Sequence, residues 1–244
     1  SPKGKPPSKF TVEAQAQQRK VLPFADKRDF DEAKRGLIAV PASKEIKDAK
    51  GGVVWNLGQW DFLLQGKDFD SIHPSLQRQA ILNMNYGLYE VVPGIYQVRG
   101  YDLSNITFIQ GKTGWIVGDP LISAETAKAA LDLVNEHFGQ KPIHAVVYSH
   151  SHVDHYGGVR GIVDEKDVLA KKVRIIAPEG FMEHAISENV IAGNAMGRRA
   201  IYMYGALLPR GTQGSVYAGL GQTTSVGTVT LIEPTDIITK TGQE

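Results

Sequence analysis

Cysteine is absent from all 244 residues. That excludes disulfides, thiol nucleophiles, cysteine-bound zinc and iron–sulfur clusters. It leaves the compartment open, because a cysteine-free chain tolerates oxidising and reducing surroundings alike. An excess of one charge is lacking too: 27 Lys and Arg stand against 26 Asp and Glu, a net +1. That balance argues against nucleic acid or an anionic membrane as the main partner. No apolar run approaches the ~18 residues of a membrane-spanning helix. With 42% hydrophobic and 22% charged residues, wholesale disorder is excluded. The length suits one large domain or two small ones, and no internal repeat is evident.

The first eight residues, Ser1-Pro2-Lys3-Gly4-Lys5-Pro6-Pro7-Ser8, read as a mobile end of the kind left when a signal peptide is removed. Residues 11–50 are polar, with helical stretches interrupted at Pro23 and Pro41, and suggest an arm over the outside of the body. Leu57, Trp60, Phe62 and Leu63 follow as anchors in a loop, and residues 74–85 suit a short helix. From residue 88 short β-rich runs take over: Val91-Val92, Ile95 to Val98, Ile106 to Ile109 and Trp115 to Val117. Ala127, Ala130, Leu131, Val134 and Phe138 recur at helical spacing, with Ser123 as N-cap and Gly139 as the stop. A buried strand His144–Tyr148, a helical segment within 159–170 and a strand Val173–Ala177 complete an α/β body with a mixed sheet. Residues 193–227, punctuated by glycines, read as a long irregular excursion, a feature that is often functional.

The chemistry concentrates in Ser149-His150-Ser151-His152-Val153-Asp154-His155-Tyr156-Gly157-Gly158, which holds three of the seven histidines. Imidazole and carboxylate are the usual nitrogen and oxygen ligands of zinc. The cluster follows an apolar strand, so it projects from the carboxyl edge of a sheet, where open α/β folds bind ligands. His150 and His152, two apart in an extended loop, can reach one ion. Asp154 and His155, where the chain turns, can reach a second. Gly157-Gly158 permits that tight turn. A surface histidine loop without metal is the alternative. His184, beyond the next strand, is a weaker candidate for the same site, and His73, His137 and His144 are isolated. Gly111-Lys112-Thr113 lacks the earlier glycine of a phosphate-binding loop and reads as a hairpin turn.

The pattern His150-x-His152-x-Asp154-His155 with Gly157-Gly158 resembles the signature of the metallo-β-lactamase fold hydrolases. That resemblance implies an αββα sandwich with zinc at one edge, His150 and His152 on the first ion, and Asp154 and His155 on the second. Asp119, in Gly118-Asp119-Pro120 at a strand end, resembles the family's strand-end aspartate and reads as a carboxylate that orients a ligand; a turn-initiating role is equally open. A narrower resemblance, to the type III alkyl sulfatases, spans nearly the whole chain. It rests on the long N-terminal arm, Gly87 to Gly100, Asp102-Leu103-Ser104-Asn105, Ser149 to Arg160, Gly193 to Arg199 and Tyr202 to Gly205.

It implies residues 1–86 as an arm with wrapping segments and 87–244 as the N-terminal portion of a catalytic domain. The implied reaction is zinc-dependent hydrolysis of alkyl sulfates such as dodecyl sulfate by metal-activated hydroxide, with Asp154 catalytic as well as ligating. Further ligands for the two zinc ions are expected beyond residue 244, with a dimerisation region and a lipid-carrier-like domain. A homodimer and a periplasmic or secreted location are expected on the same ground. The arginine fork suits the oxygens of a sulfate ester, so Arg198 and Arg199 are candidate substrate contacts, or else partners of an acidic group. Asn194 and Tyr204 are candidate donors to the same group. Alternatives are a thioester, lactone or phosphodiester hydrolase on the same fold, or an inactive piece of a split chain.

Overall fold

The computed structural model describes residues 4–243. The first three residues of the expected mobile end, and Glu244, lie outside the described residues. In chain order the elements are α1 (Lys9–Val21), α2 (Arg28–Glu32), β1 (Leu37–Ala39), β2 (Glu45–Lys47), β3 (Val53–Asn56), a 3₁₀ segment (Leu57–Leu64) and α3 (Pro74–Leu82). They continue as β4 (Gly87–Val92), β5 (Ile95–Arg99), β6 (Ile106–Gln110), β7 (Trp115–Gly118), α4 (Ala124–Phe138) and β8 (Ile143–Val147). The remainder are α5 (Glu165–Leu169), β9 (Arg174–Pro178), α6 (Phe181–Ile186), α7 (Gly193–Tyr204) and β10 (Asp236–Ile238).

Eight strands form one mixed sheet in the order β1-β4-β5-β6-β7-β8-β9-β10, and β2 with β3 forms a separate pair. Strands β4 to β7 run antiparallel to their neighbours, whereas β7 to β10 are parallel. Helix α4 supplies the crossover between the first two parallel strands, β7 and β8, as parallel pairing demands. Ser123 caps it through Thr126 N, and Gly139 ends it at φ 74°. Alternation within the strands buries Val98, Phe108, Trp115, Val117 and Ile175 on one face, with α4 contributing Ala130 and Val134 to the same core. Their neighbours in alternation, Ile109 and Ile116, stay over a third exposed on the other face.

Four readings of the sequence change. Within 11–50 the chain is not only helical: Leu37–Ala39 pairs with β4 at the sheet edge, and Glu45–Lys47 pairs with β3. Edge pairing there outweighs the polar character of the flanks. The anchoring loop is wound into 3₁₀ turns, which bury Leu57, Trp60 and Leu63 in a second cluster with Val216 and Tyr217. The helical segment within 159–170 reduces to a single turn, Val159–Gly161, and the short α5 capped by Asp164. Residues 193–204 are a helix rather than irregular chain. An interior glycine such as Gly197 costs about 1 kcal/mol of helix propensity, yet the helix forms with open space beside Gly193 and Gly197 and ends on Gly205 in the left-handed conformation, φ 60°. The strand β10 had a legible β-rich run, Ile237-Ile238-Thr239, that sequence reading passed over.

Behind the sheet edge sits Asp102, a carboxylate only 2% exposed. Its Oδ1 accepts from Leu103 N at 2.9 Å and Ser225 N at 2.9 Å. Its Oδ2 accepts from Ile122 N at 3.2 Å, Thr126 Oγ1 at 2.9 Å and Ser225 Oγ at 2.6 Å. Burial pushes the carboxyl up, against the pull of these donors. The group ties three distant segments together: the 100–105 loop, the start of α4 and residue 225.

Asp102→Asn should therefore cost about 1–3 kcal/mol. The amide nitrogen would face two backbone N–H groups if placed at Oδ1, and Ile122 N–H if placed at Oδ2. Neither orientation satisfies every donor. Urea denaturation of the variant against the parent measures the loss, with an unchanged slope expected.

Candidate metal centre

Strands β7 and β8 lie parallel in register, Gly118 opposite Val147, so their carboxyl ends open side by side. Asp119 follows the first and Ser149 the second. The turn after β7 is strained: Asp119 (φ 53°) and Leu121 (φ 60°) both adopt the left-handed conformation. Leu121, which has no side-chain hydrogen bond to offset that cost of roughly 1–2 kcal/mol, is fully buried and held by packing. Its carbonyl accepts from Gly158 N at 3.0 Å. A Cβ on Gly157 would strike the Ile122 carbonyl, and one on Gly158 the Pro120 carbonyl. The histidine loop thus seats directly on the strained turn.

Asp119 organises the histidine loop. Its Oδ1 accepts from Ser149 N at 2.8 Å and its Oδ2 from Ser149 Oγ at 2.8 Å. Because the Ser149 proton points to Asp119, its oxygen is left to accept from His150 Nδ1 at 2.9 Å. That places the His150 proton on Nδ1 and frees Nε2. The same Asp119 Oδ2 stands 3.0 Å from His155 Nδ1, a buried nitrogen whose N–H is not aligned for a hydrogen bond. His155 Nε2 is 3.1 Å from Asp154 Oδ2. Ser104 Oγ donates to the backbone carbonyl of Asp154. The imidazoles crowd together, with ring centroids 4.6 Å apart for His150–His152 and 4.1 Å for His150–His155.

The electrostatics follow from this crowding. Burial alone would lower the His155 pKa, but the Asp119 and Asp154 carboxylates raise it to about 9. Burial would raise Asp154, but the His155 partner holds it below the usual carboxylate range. His150 is pushed down by burial and by the neighbouring imidazoles.

The donor chemistry fits a metal: three imidazoles and a carboxylate within one turn of loop, with a buried ring nitrogen lacking an aligned partner. No group of three or more His, Asp and Glu side chains among the described residues is already arranged around an ion. The reason is visible in the contacts, since Asp154 and His155 satisfy each other instead. To hold a cation, His155 would first have to give up the proton that the two carboxylates beside it stabilise.

A cleft of about 380 Å³ opens beside the loop, lined by Leu103, Ile122, His152, Asp154, Glu188 and Tyr204 among others. Of the four candidate substrate contacts, Tyr204 faces this cleft. Asn194, Arg198 and Arg199 are exposed and lie outside it, because the helix face at 193, 196, 197, 200 and 204 is the one turned inward. His184 is exposed and also outside the cleft. Glu188 was missed. Its Oε1 stands 4.0 Å from His152 Nε2, and its distance along the chain gave no spacing signal. Ser104 was seen only as part of a resembling run.

Residues 99–243 match the metallo-beta-lactamase superfamily. The chain belongs to that superfamily. It is 56% identical over 240 residues to a linear primary-alkylsulfatase from Pseudomonas sp, covering 98% of this chain and 36% of the relative. It is 53% identical over 237 residues to an (R)-specific secondary-alkylsulfatase from Pseudomonas sp, covering 97% and 36%. It is also similar to the solved structure of the stereoselective inverting sec-alkylsulfatase Pisa1 from Pseudomonas sp, with a TM-score of 0.93 and 53% identity. That likeness covers 98% of this chain and 38% of the solved one. The chain thus spans little more than a third of the length of these relatives. The metallo-β-lactamase fold read from the histidine motif, and the likeness to alkyl sulfatases, are both shown.

Zinc loading should release protons. With His155 at about 9, the imidazole is protonated near pH 7 and must lose that proton to ligate. Zinc affinity should therefore rise with pH, up to about tenfold per unit, and level off above about pH 9. Titration calorimetry at pH 7.5 in buffers of different ionisation enthalpy should count close to one proton released through His155.

Proposed function

We propose that the protein hydrolyses alkyl sulfate esters of the dodecyl sulfate kind to alcohol and sulfate at a binuclear zinc centre. His150, His152, Asp154 and His155 would hold the ions, with further ligands supplied from beyond residue 244. The observation that carries the reading is the convergence of these four side chains at a strand edge, beside a partly apolar cleft. The identity to named alkylsulfatases supports sulfate esters over the other substrates of this fold. When bound, zinc supplies a water nucleophile near neutral pH and neutralises charge on the ester oxygens.

The protein's own groups set the stage for that chemistry. Asp119, acting through Ser149, fixes which nitrogen of His150 carries the proton. Asp154 stays anionic at neutral pH and can accept a hydrogen bond from the attacking water. Tyr204 is pushed up first by burial and then by the Asp154 charge, so its hydroxyl stays protonated and able to donate. We assign Tyr204 to a sulfate oxygen and the Leu103–Ile122 wall to the alkyl chain. Residues 1–86 serve as arm and wrapping segments and 87–244 as part of the catalytic domain. A homodimer and a periplasmic or secreted location complete the proposal; no helix among the described residues is long and apolar enough to cross a membrane.

A substrate panel of dodecyl sulfate, a lactone, S-lactoylglutathione and a bis-aryl phosphodiester, run on the protein that includes the segment beyond residue 244, tests the reaction. Turnover of dodecyl sulfate alone is expected, and preference for another ester would replace the sulfate assignment. In the same assay His152→Ala and Asp154→Ala should lose bound zinc, read by mass spectrometry, together with turnover. Wild-type zinc occupancy in both would remove them from the ligand set.

Tyr204→Phe should lower kcat/KM by about 10- to 100-fold, the worth of one hydrogen bond to a charged group, with zinc content unchanged. Arg198→Ala and Arg199→Ala should each stay within twofold of the parent, because both side chains lie outside the cleft.

A further inference from the structure

A second cavity adjoins the cleft. It holds about 140 Å³ between the end of α3, the 100–105 loop and residues 220–222. Leu103 lines both spaces, so they are neighbours across one side chain. The volume is well under the ~300 Å³ of pockets that take drug-sized ligands, and it suits an ion of a few atoms. The lining is polar, with Arg99, Asp102, Gln222 and the amides of Asn83, Asn85 and Asn105.

Arg99 is a cation without an acid. Its Nε donates to Gln97 Oε1 at 3.1 Å, and its guanidinium carbon lies 4.4 Å from the centre of the Tyr89 ring. Among the described residues no Asp or Glu pairs with it, and its two terminal nitrogens donate to nothing. Burial pushes its pKa down, as it does for a charge short of both water and a partner.

Gln222 is a second, independent sign. It is 2% exposed, yet the partner of its Nε2 is the Met84 sulfur at 3.6 Å, a weak acceptor. No donor reaches its Oε1 among the described residues. Buried amides are almost always satisfied, and one that is not calls for a bound water, ion or ligand. Asp102 is the one acid in the lining, but five protein donors already fill its two oxygens. Asn83 and Asn85 each use one amide hydrogen, on the Tyr217 hydroxyl and the Leu82 carbonyl, and keep a second. What these donors lack is an acceptor.

We propose that this cavity binds a small tetrahedral oxyanion, held by the Arg99 fork with the amides of Asn105 and Gln222 beside it. A guanidinium gives two parallel N–H bonds to such an ion, and the stack on Tyr89 keeps the fork in place. Inorganic sulfate is the occupant expected from the hydrolysis proposed above, because the released ion meets a cation one side chain away from the cleft. The site itself depends only on Arg99 and its neighbours.

The test is titration calorimetry with sodium sulfate, at fixed ionic strength, on the zinc-free protein that includes the segment beyond residue 244. The parent should bind sulfate saturably, and more tightly than acetate, which offers the same donors fewer oxygens. Arg99→Gln should weaken binding about 10- to 100-fold, the loss of hydrogen bonds to a charged group. Arg99→Lys, which keeps the charge without the fork, should fall between, and circular dichroism checks that each variant is folded. His152→Ala should bind sulfate as tightly as the parent. No saturable binding in the parent would overturn the site, and so would binding that both Arg99 variants leave unchanged. Binding lost in His152→Ala would place the ion at the histidine loop and overturn it too. Because the assay uses neither zinc nor turnover, its failure leaves the hydrolase reading intact, and failure of that reading leaves the site.

Discussion

The carboxylate of Asp119 ties the histidine cluster to the sheet edge. It joins the end of β7 to the chain two residues beyond β8 through two hydrogen bonds to Ser149, and it faces His155 directly. Because β7 and β8 are parallel neighbours, the crossover helix α4 must lie between them in sequence, and its N-terminus must start close to the same edge. The left-handed turn at Asp119 and Leu121 is the backbone cost of bringing these ends together. Buried packing of Leu121, and the close seating of Gly157 and Gly158, hold that turn in place.

Beneath this edge, Asp102 does a different job with the same chemistry. Its five donors come from the 100–105 loop, the start of α4 and Ser225. The neighbouring Ser104 donates to the Asp154 carbonyl. One buried carboxylate thus braces the floor of the loop while Asp119 braces its side. The two together make the geometry of the histidine loop a property of the sheet rather than of the loop alone.

Much of this was legible in the sequence, for identifiable reasons. The strands from 95 to 117 announced themselves because their turns carry strong Gly and Pro signals and each strand buries alternate residues. Helix α4 was legible from its spacing and its cap. The clustering of the three histidines and Asp154 was legible because these residues are adjacent in sequence, and the strand-end position of Asp119 was legible from the turn that follows β7. What stayed hidden depends on long-range contact. Helix α7 contains two glycines and buries no residue, so local propensity and pattern argue against it. Glu188 meets His152 only because the α6–α7 turn folds back, and Arg198 and Arg199 looked suited to sulfate by chemistry while helix phase turns them outward. The edge strand β1 needs β4 to exist at all.

The two walls of the cleft are built to different standards. One is the histidine loop, clamped to the sheet by hydrogen bonds and by glycines with no room to spare. The other is α7, a helix in which no residue is fully buried, carried on the wide turn after α6. Elements with few buried contacts open at low free energy. The cleft therefore resembles a vice with one fixed jaw and one sliding jaw: widening it costs a displacement of α7, while the histidine loop stays registered against a part of the protein that does not yield.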